Sequence, residues 1–148
     1  MTDWHTAMRQ FFAEVDVAVA QQAASTGAAC TACGTCCKFD VAEHTLFASE
    51  LERRWLLATA PAPAEPAPGS LEAQGLRCPW QTDNRCTARE GRVLGCRLYY
   101  CTWPAGTVED DLYAQWHNRL RCLHDALGVD WAYRPLLPLE PEFFVTNA

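Results

Sequence analysis

The chain has 148 residues, a length typical of one domain, and 49% of them are hydrophobic while 20% are charged. This balance excludes a wholly disordered chain. The net charge of −6 argues against a general nucleic-acid binder and against attachment to an anionic membrane. No apolar run approaches the ~20 residues of a membrane-spanning helix, and the first residues do not resemble a signal peptide. We therefore expect a cytoplasmic protein with a single domain over residues 1–148.

Three segments show the three- and four-residue apolar periodicity of amphipathic helices. They cover residues 2–24, 45–58 and 108–127. The first should be capped by Thr2 or Asp3 and should end before Gly27. In the second, the inward-facing side chains begin at Phe47. The third has Gly128 in the position that favours a left-handed helix end.

The remaining segments lack helical periodicity. The proline- and alanine-rich residues 59–70 should form an extended surface loop within the domain. Residues 75–81 and 85–88 are compatible with a short hairpin, and residues 89–102 with a short helix or turn. The tail from Tyr133 should be extended coil. The predicted fold class is mainly α, with irregular cysteine-rich metal-binding loops and one short β-hairpin.

Cysteine content is the most informative feature of the composition. Nine cysteines are present, and no export signal accompanies them. Disulfide frameworks are rare in reducing compartments, and an odd number cannot pair completely within one chain. Cysteines at short spacings in such a chain typically bind metal or carry out redox chemistry.

The strongest motif is a run of three cysteines two residues apart with a fourth directly after it. Its members are Cys30, Cys33, Cys36 and Cys37. A chain with this spacing can curl so that the sulfur atoms converge, and Gly34 favours such a curl. Ferredoxin-type clusters use a similar run completed by a remote cysteine that precedes proline, as Cys78 precedes Pro79 here. An iron–sulfur cluster held by Cys30, Cys33, Cys36 and Cys78 is therefore one prediction.

The adjacent pair Cys36 and Cys37 suggests more than one centre. Side chains of neighbouring residues in extended backbone point to opposite sides, so the two sulfur atoms are expected to serve different centres, unless one of them is not a ligand. Eight cysteines would suffice for two four-ligand sites. The candidate metal ligands are Cys30, Cys33, Cys36, Cys37, Cys78, Cys86, Cys96 and Cys101.

The same cysteines resemble the pattern of the YkgJ-type cysteine-cluster proteins, a family described as zinc- or iron-chelating. The resemblance covers about residues 30–101. It consists of the C-x-x-C-x-x-C-C run, the Cys78-Pro79 pair, and Cys86 ten positions before Cys96-Arg97-Leu98-Tyr99. The family's arginine before the last motif is kept as Arg92, whereas its tyrosine and proline are not. The resemblance implies metal chelation and leaves the reaction open.

Three functions fit these residues. The first is an iron–sulfur protein in redox or metal-dependent protein chemistry, with a protein or redox partner. The second is an interaction module whose closed zinc sites hold the fold, because all-thiolate sites suit both zinc and iron–sulfur clusters. The third is an iron-dependent enzyme that modifies a protein or peptide, which would need an open coordination position. A metal-free dithiol role ranks below these.

Several other residues have a functional and a structural interpretation. His117 and His124 flank the apolar stripe of the last predicted helix, where half-buried polar edges are commoner than metal ligands. Cys122 is expected to be a buried thiol that packs as a small hydrophobic side chain. Trp80 could shield a metal cluster from water. Arg92 and Arg97 could offset the negative charge of a metal cluster. Their structural interpretation is a salt bridge to Glu90 or Asp83.

Overall fold

The structure is a computed structural model, and it describes residues 3–28, 37–39, 45–83, 85–98 and 108–144. The described part of the chain is mainly helical, as predicted. Its α-helices are α1 (Trp4–Thr26), α2 (Glu50–Thr59), α3 (Leu94–Leu98) and α4 (Val108–Leu127). Within these ranges no helix is both long and apolar enough to cross a membrane.

In the part of the chain that the structure describes, four two-residue strands form two small antiparallel pairs. They are β1 (Phe47–Ala48) with β4 (Arg134–Pro135), and β2 (Gln81–Thr82) with β3 (Arg85–Cys86). The second pair is the predicted hairpin, in a shorter form. Further 3-10 turns lie at Arg89–Gly91 and Pro141–Phe144. The described part of the predicted helix or turn after residue 88 is thus a 3-10 turn followed by α3.

Helix α1 begins and ends two residues later than the predicted range 2–24, and Asp3 and Gly27 are its caps, as the sequence suggested. The side chain of Asp3 accepts a hydrogen bond from the Thr6 amide at 2.9 Å, which satisfies one of the free amides of the first turn. Gly27 adopts a left-handed conformation with φ 78°, and its amide donates to the Ala23 carbonyl at 2.9 Å. Helix α4 has the predicted bounds, and Gly128 follows it with φ 68°.

The predicted start of α2 at residue 45 is wrong. The helix begins at Glu50 because Ser49 and Glu52 form a capping box, in which each side chain binds the other's backbone amide. Phe47 therefore lies in strand β1 rather than on the inward face of a helix. Its side chain is 38% exposed and stacks on Tyr133 with ring centroids 5.5 Å apart.

Two groups of buried side chains form the core. The first group, the helical cluster, joins α1, α2, α3 and α4. The second group, the cysteine-side cluster, joins residues in or next to the short strands to the C-terminal segment. The helical cluster comprises Met8, Phe11, Phe12, Val15, Val19, Leu51, Trp55, Leu94, Leu98, Leu112, Trp116 and Leu120. The cysteine-side cluster comprises Phe39, Leu46, Ala48, Leu56, Trp80, Ala88, Val93, Leu136, Leu139 and Phe143.

His124 is fully buried in α4, which corrects the expectation of a half-buried edge. Its Nδ1 lies 3.3 Å from the Val129 carbonyl oxygen, and its ring meets Trp131 edge-on at 4.9 Å. Burial lowers the pKa of His124 below its ordinary value of 6.5, because the charged form loses its hydration. Burial therefore favours the neutral form of this imidazole in the native state.

Acidification should destabilise the protein through His124. As the pH falls below 6.5, the unfolded state takes up a proton that the folded state resists, so the free energy of unfolding decreases. Replacing His124→Phe should make this decrease shallower between pH 7 and pH 5. Urea unfolding of both proteins at the two pH values measures the difference. Equal pH dependence in the two proteins would show that another group is responsible.

Candidate metal centre

The end of the four-cysteine motif lies against the remote Cys-Pro pair. The amide of Cys78 donates to the carbonyl oxygen of Cys37 at 3.1 Å. The backbones of the next residue, Lys38, and of Arg77 form an isolated antiparallel β-bridge. Phe39 continues from this contact into the cysteine-side cluster. The backbone thus joins two cysteine motifs that are about 40 positions apart in the sequence, as an arrangement with a remote ligand requires.

The hairpin places Cys86 beside this junction. The amide of Gln81 donates to the carbonyl oxygen of Cys78 at 3.1 Å, and Gln81 is the cross-strand partner of Cys86. The turn between the strands uses Asp83 with φ 51°, a left-handed conformation that aspartate tolerates better than most residues. The turn after Cys78 and the pairing of β2 with β3 therefore carry Cys86 back toward Cys78.

Helix α3 carries Cys96, and other parts of the chain bind this helix both before and after that residue. At its first residue, the amide of Leu94 donates to Oε1 of Glu52 at 2.6 Å. After Cys96, the buried guanidinium of Arg97 binds Asp16 at 2.8 Å and the Arg92 carbonyl at 2.7 Å, and it also binds the Glu90 carbonyl. A helix of five residues is too short to be stable alone, so these contacts determine where Cys96 lies.

Cys78, Cys86 and Cys96 are half-buried and pack against the cysteine-side cluster. Trp80 is 3% exposed in this cluster, and its Nε1 donates to the Pro61 carbonyl at 2.7 Å. Three candidate ligands from separate elements therefore pack against one apolar cluster that contains Trp80. Shielding of a metal by Trp80 remains a prediction.

The C-terminal segment, residues 134–144, supplies part of this apolar surface. Leu136, Leu139 and Phe143 are buried in it, and the ring of Phe143 meets Trp80 edge-on at 5.8 Å. A buried guanidinium holds the segment in place, since Arg53 forms an ion pair with Glu140 at 2.6 Å. The tail thus packs against the fold, and strand β4 and the 3-10 turn at Pro141–Phe144 replace part of the predicted extended coil.

The other half of the predicted ligand set lies outside the described residues. These cysteines are Cys30, Cys33, Cys36 and Cys101. Among the residues that the structure does describe, no three histidine, cysteine, aspartate or glutamate side chains are grouped so that they could hold a metal ion. Metal ligation by the eight cysteines, and the separation of Cys36 from Cys37, therefore remain predictions.

Cys122 is exposed, which corrects the expectation of a buried thiol. It follows the fully buried Leu120 by two positions, or about 200° around the helix, and so lies on the opposite side of α4. Cys122 lines an open groove of about 740 Å³ between α1 and α4, whose walls include Phe11 and Leu123. No other cysteine of the described ranges lines this groove.

His117 stands among aromatic rings. It stacks on Tyr113 at 5.4 Å and meets Trp131 and Tyr133 edge-on at 5.1 and 4.8 Å. The hydroxyl groups of Tyr113 and Tyr133 are hydrogen-bonded to each other. Burial lowers the pKa of His117, so the fold favours its neutral form. These contacts support a packing role for His117.

Two residues near the candidate site were missed or misassigned by sequence reasoning. Arg97 forms its salt bridge with Asp16 of α1, not with Glu90 or Asp83, and Glu90 contributes only its backbone carbonyl. Glu52 was not singled out at all. A signal for it existed, because Ser49-x-x-Glu52 before an apolar run is the pattern of a capping box.

No family model, curated protein or solved structure matches this chain. The resemblance to YkgJ-type proteins therefore rests on the cysteine pattern and stays a prediction.

Proposed function

We propose that this chain is a cysteine-ligated metal-binding protein, with an iron–sulfur cluster as the favoured cofactor, that acts in redox or metal-dependent protein chemistry. The observation that carries the proposal is the hydrogen bond between the Cys78 amide and the Cys37 carbonyl. It joins Cys37, the last residue of the C-x-x-C-x-x-C-C run, to the Cys-Pro pair, and a ferredoxin-like ligand set needs the run and such a pair together.

The chemistry of the available donors fits such a cofactor. Cys78 and Cys86 carry free thiols and pack, with Cys96, against one apolar cluster. Thiolates are the ligands that zinc and iron–sulfur clusters share, and apolar surroundings limit water access and tune a redox potential. The spacing of the first run and its similarity to YkgJ-type proteins support the same donor set.

A structural zinc module is the second candidate. It is favoured by the sparse secondary structure around Cys78 and Cys86, where two-residue strands and single turns predominate. Segments of this kind gain stability from a metal, because binding energy there is also folding energy. The helical cluster, by contrast, joins four helices without a cysteine among its buried members.

Purification without oxygen followed by elemental analysis and visible spectroscopy tests both candidates. Iron with inorganic sulfide and a brown colour would support the iron–sulfur proposal. A colourless protein with stoichiometric zinc would support the structural module. A metal-free protein with reactive thiols and a cooperative fold would contradict both.

Substitution of single cysteines tests the ligand set. Cys33→Ala should lose metal and much of the stability, because loss of a ligand removes binding energy. Cys122→Ala should keep the metal and change the free energy of unfolding by no more than about 0.5 kcal/mol, since the side chain is exposed. Metal analysis and urea unfolding measure both effects. Equal metal loss in the two variants would show that the ligand set is wrong.

A further inference from the structure

Glu52 is a fully buried carboxylate whose two oxygen atoms bind the first amides of two different segments. Oε2 accepts from the Ser49 amide at 2.7 Å, and Oε1 accepts from the Leu94 amide at 2.6 Å. The first contact belongs to the capping box of α2. The second reaches 42 positions along the chain to the start of α3. The capping box alone does not require this second contact.

Linking two segments through a buried carboxylate has a free-energy cost. Burial raises the pKa of Glu52, because desolvation disfavours the charged form. Apolar residues of similar size often replace buried ionic groups without loss of stability. What an apolar side chain cannot provide is a fixed direction, since a hydrogen bond to the Leu94 amide defines both the position and the orientation of the first turn of α3.

Cys96 lies two residues after Leu94 in this turn and packs against the cysteine-side cluster. We infer that Glu52 is a positioning residue for Cys96, holding α3 so that Cys96 stays packed against the cysteine-side cluster. The inference rests on the proposed function, because Cys96 is a metal ligand only under that proposal. Arg97 fixes the same turn from its other end.

The test compares Glu52→Gln with Met8→Ala in the full chain. Glutamine has nearly the same shape but only one acceptor oxygen, so one of the two amides loses its partner. Met8 is fully buried in α1, and its truncation destabilises the helical cluster while both carboxylate oxygens of Glu52 keep their chemical identity. The two variants separate a positional effect from a general loss of stability.

The first measurement is the rate of alkylation of each cysteine in metal-stripped protein, resolved by peptide mass spectrometry. In Glu52→Gln, the rate at Cys96 relative to the exposed Cys122 should rise several-fold, because the loosened turn exposes the thiol. In Met8→Ala the ratio should stay close to that of the wild type. A ratio in Glu52→Gln no higher than in Met8→Ala would overturn the inference.

The second measurement is titration with Co²⁺, whose thiolate charge-transfer bands strengthen with the number of bound sulfur atoms. Glu52→Gln should bind Co²⁺ at least about 10-fold more weakly and with weaker thiolate bands. Wild-type intensities and affinity in Glu52→Gln would count against positioning. If wild-type protein shows no thiolate bands, the proposed metal function fails, and the alkylation ratio still decides the positioning of Cys96.

If Glu52→Gln does not fold, a second variant with a backbone ester bond at position 94 is tested in its place. Incorporation of the α-hydroxy acid analogue of leucine removes the Leu94 N–H and keeps the side chain. The same rise in Cys96 alkylation is expected. An unchanged ratio in the ester protein would overturn the inference.

Discussion

Arg97→Ala is expected to lower the free energy of unfolding by about 3 kcal/mol. The guanidinium is buried and binds three acceptors, which are Asp16 and the carbonyls of Arg92 and Glu90. It also lies over the ring of Phe12, 4.0 Å from the centroid. Alanine leaves two carbonyl groups without this donor and removes the packing on Phe12. The Asp16 side chain is 49% exposed and regains water, which limits the loss.

Arg119→Ala is the matched control for this prediction. Arg119 also combines an ion pair, with Glu14 at 2.8 Å, and an aromatic contact, with Trp116 at 4.4 Å. Both partners of the ion pair are about half exposed, so its loss should cost less than about 1 kcal/mol. Urea unfolding of the two variants measures the difference. Similar costs would show that burial of the Arg97 contacts does not determine their value.

Gly75→Ala is expected to destabilise the protein by about 3 kcal/mol. Gly75 has φ 77°, and a Cβ atom there would lie 2.8 Å from the backbone nitrogen of Pro138. The neighbour is backbone of the C-terminal segment, so it cannot move aside as a flexible side chain would. The substitution should therefore loosen the packing of this segment on the cysteine-side cluster.

Gly69→Ala separates the cost of the left-handed backbone conformation from the cost of the close approach to Pro138. Gly69 has φ 78°, and a Cβ atom there would meet nothing within 4 Å. Its substitution should cost about 1 kcal/mol, from the left-handed conformation. The additional cost in Gly75→Ala is the effect of the close approach to Pro138. Near-ultraviolet circular dichroism, to which Trp80 and Phe143 contribute, should change in Gly75→Ala and not in Gly69→Ala. Equal stability of the two variants would contradict this account.

Local signals predicted the long helices well. The bounds of α4 follow from an apolar stripe and from Gly128, and the start of α1 follows from Asp3. The start of α2 failed because the apolar residues before Ser49 continue the helical periodicity, whereas the capping box sets the actual boundary. Periodicity reports which side chains are buried and does not mark where backbone hydrogen bonding begins.

The ligand set of the candidate site is a prediction from sequence spacing, including the likeness of Cys78 to a remote ligand. The surroundings of these cysteines were less predictable. The contacts that fix Cys96 join residues 52 and 94, and residues 16 and 97, which no local pattern connects. Local patterning does not predict the burial of Glu52 either, because polar residues of an amphipathic helix are expected on its exposed face.

The division of the core into two clusters determines which part of this protein would unfold when its cysteines are oxidised. Oxidation of Cys78, Cys86 and Cys96 would make these side chains larger and more polar where they pack against the cysteine-side cluster. The helical cluster would keep its own packing, so the opening would be local rather than global. Trp80 and Phe143 would then become accessible on a molecule that retains most of its helices. Such a species would aggregate through its exposed apolar surface while its helical content stayed nearly unchanged.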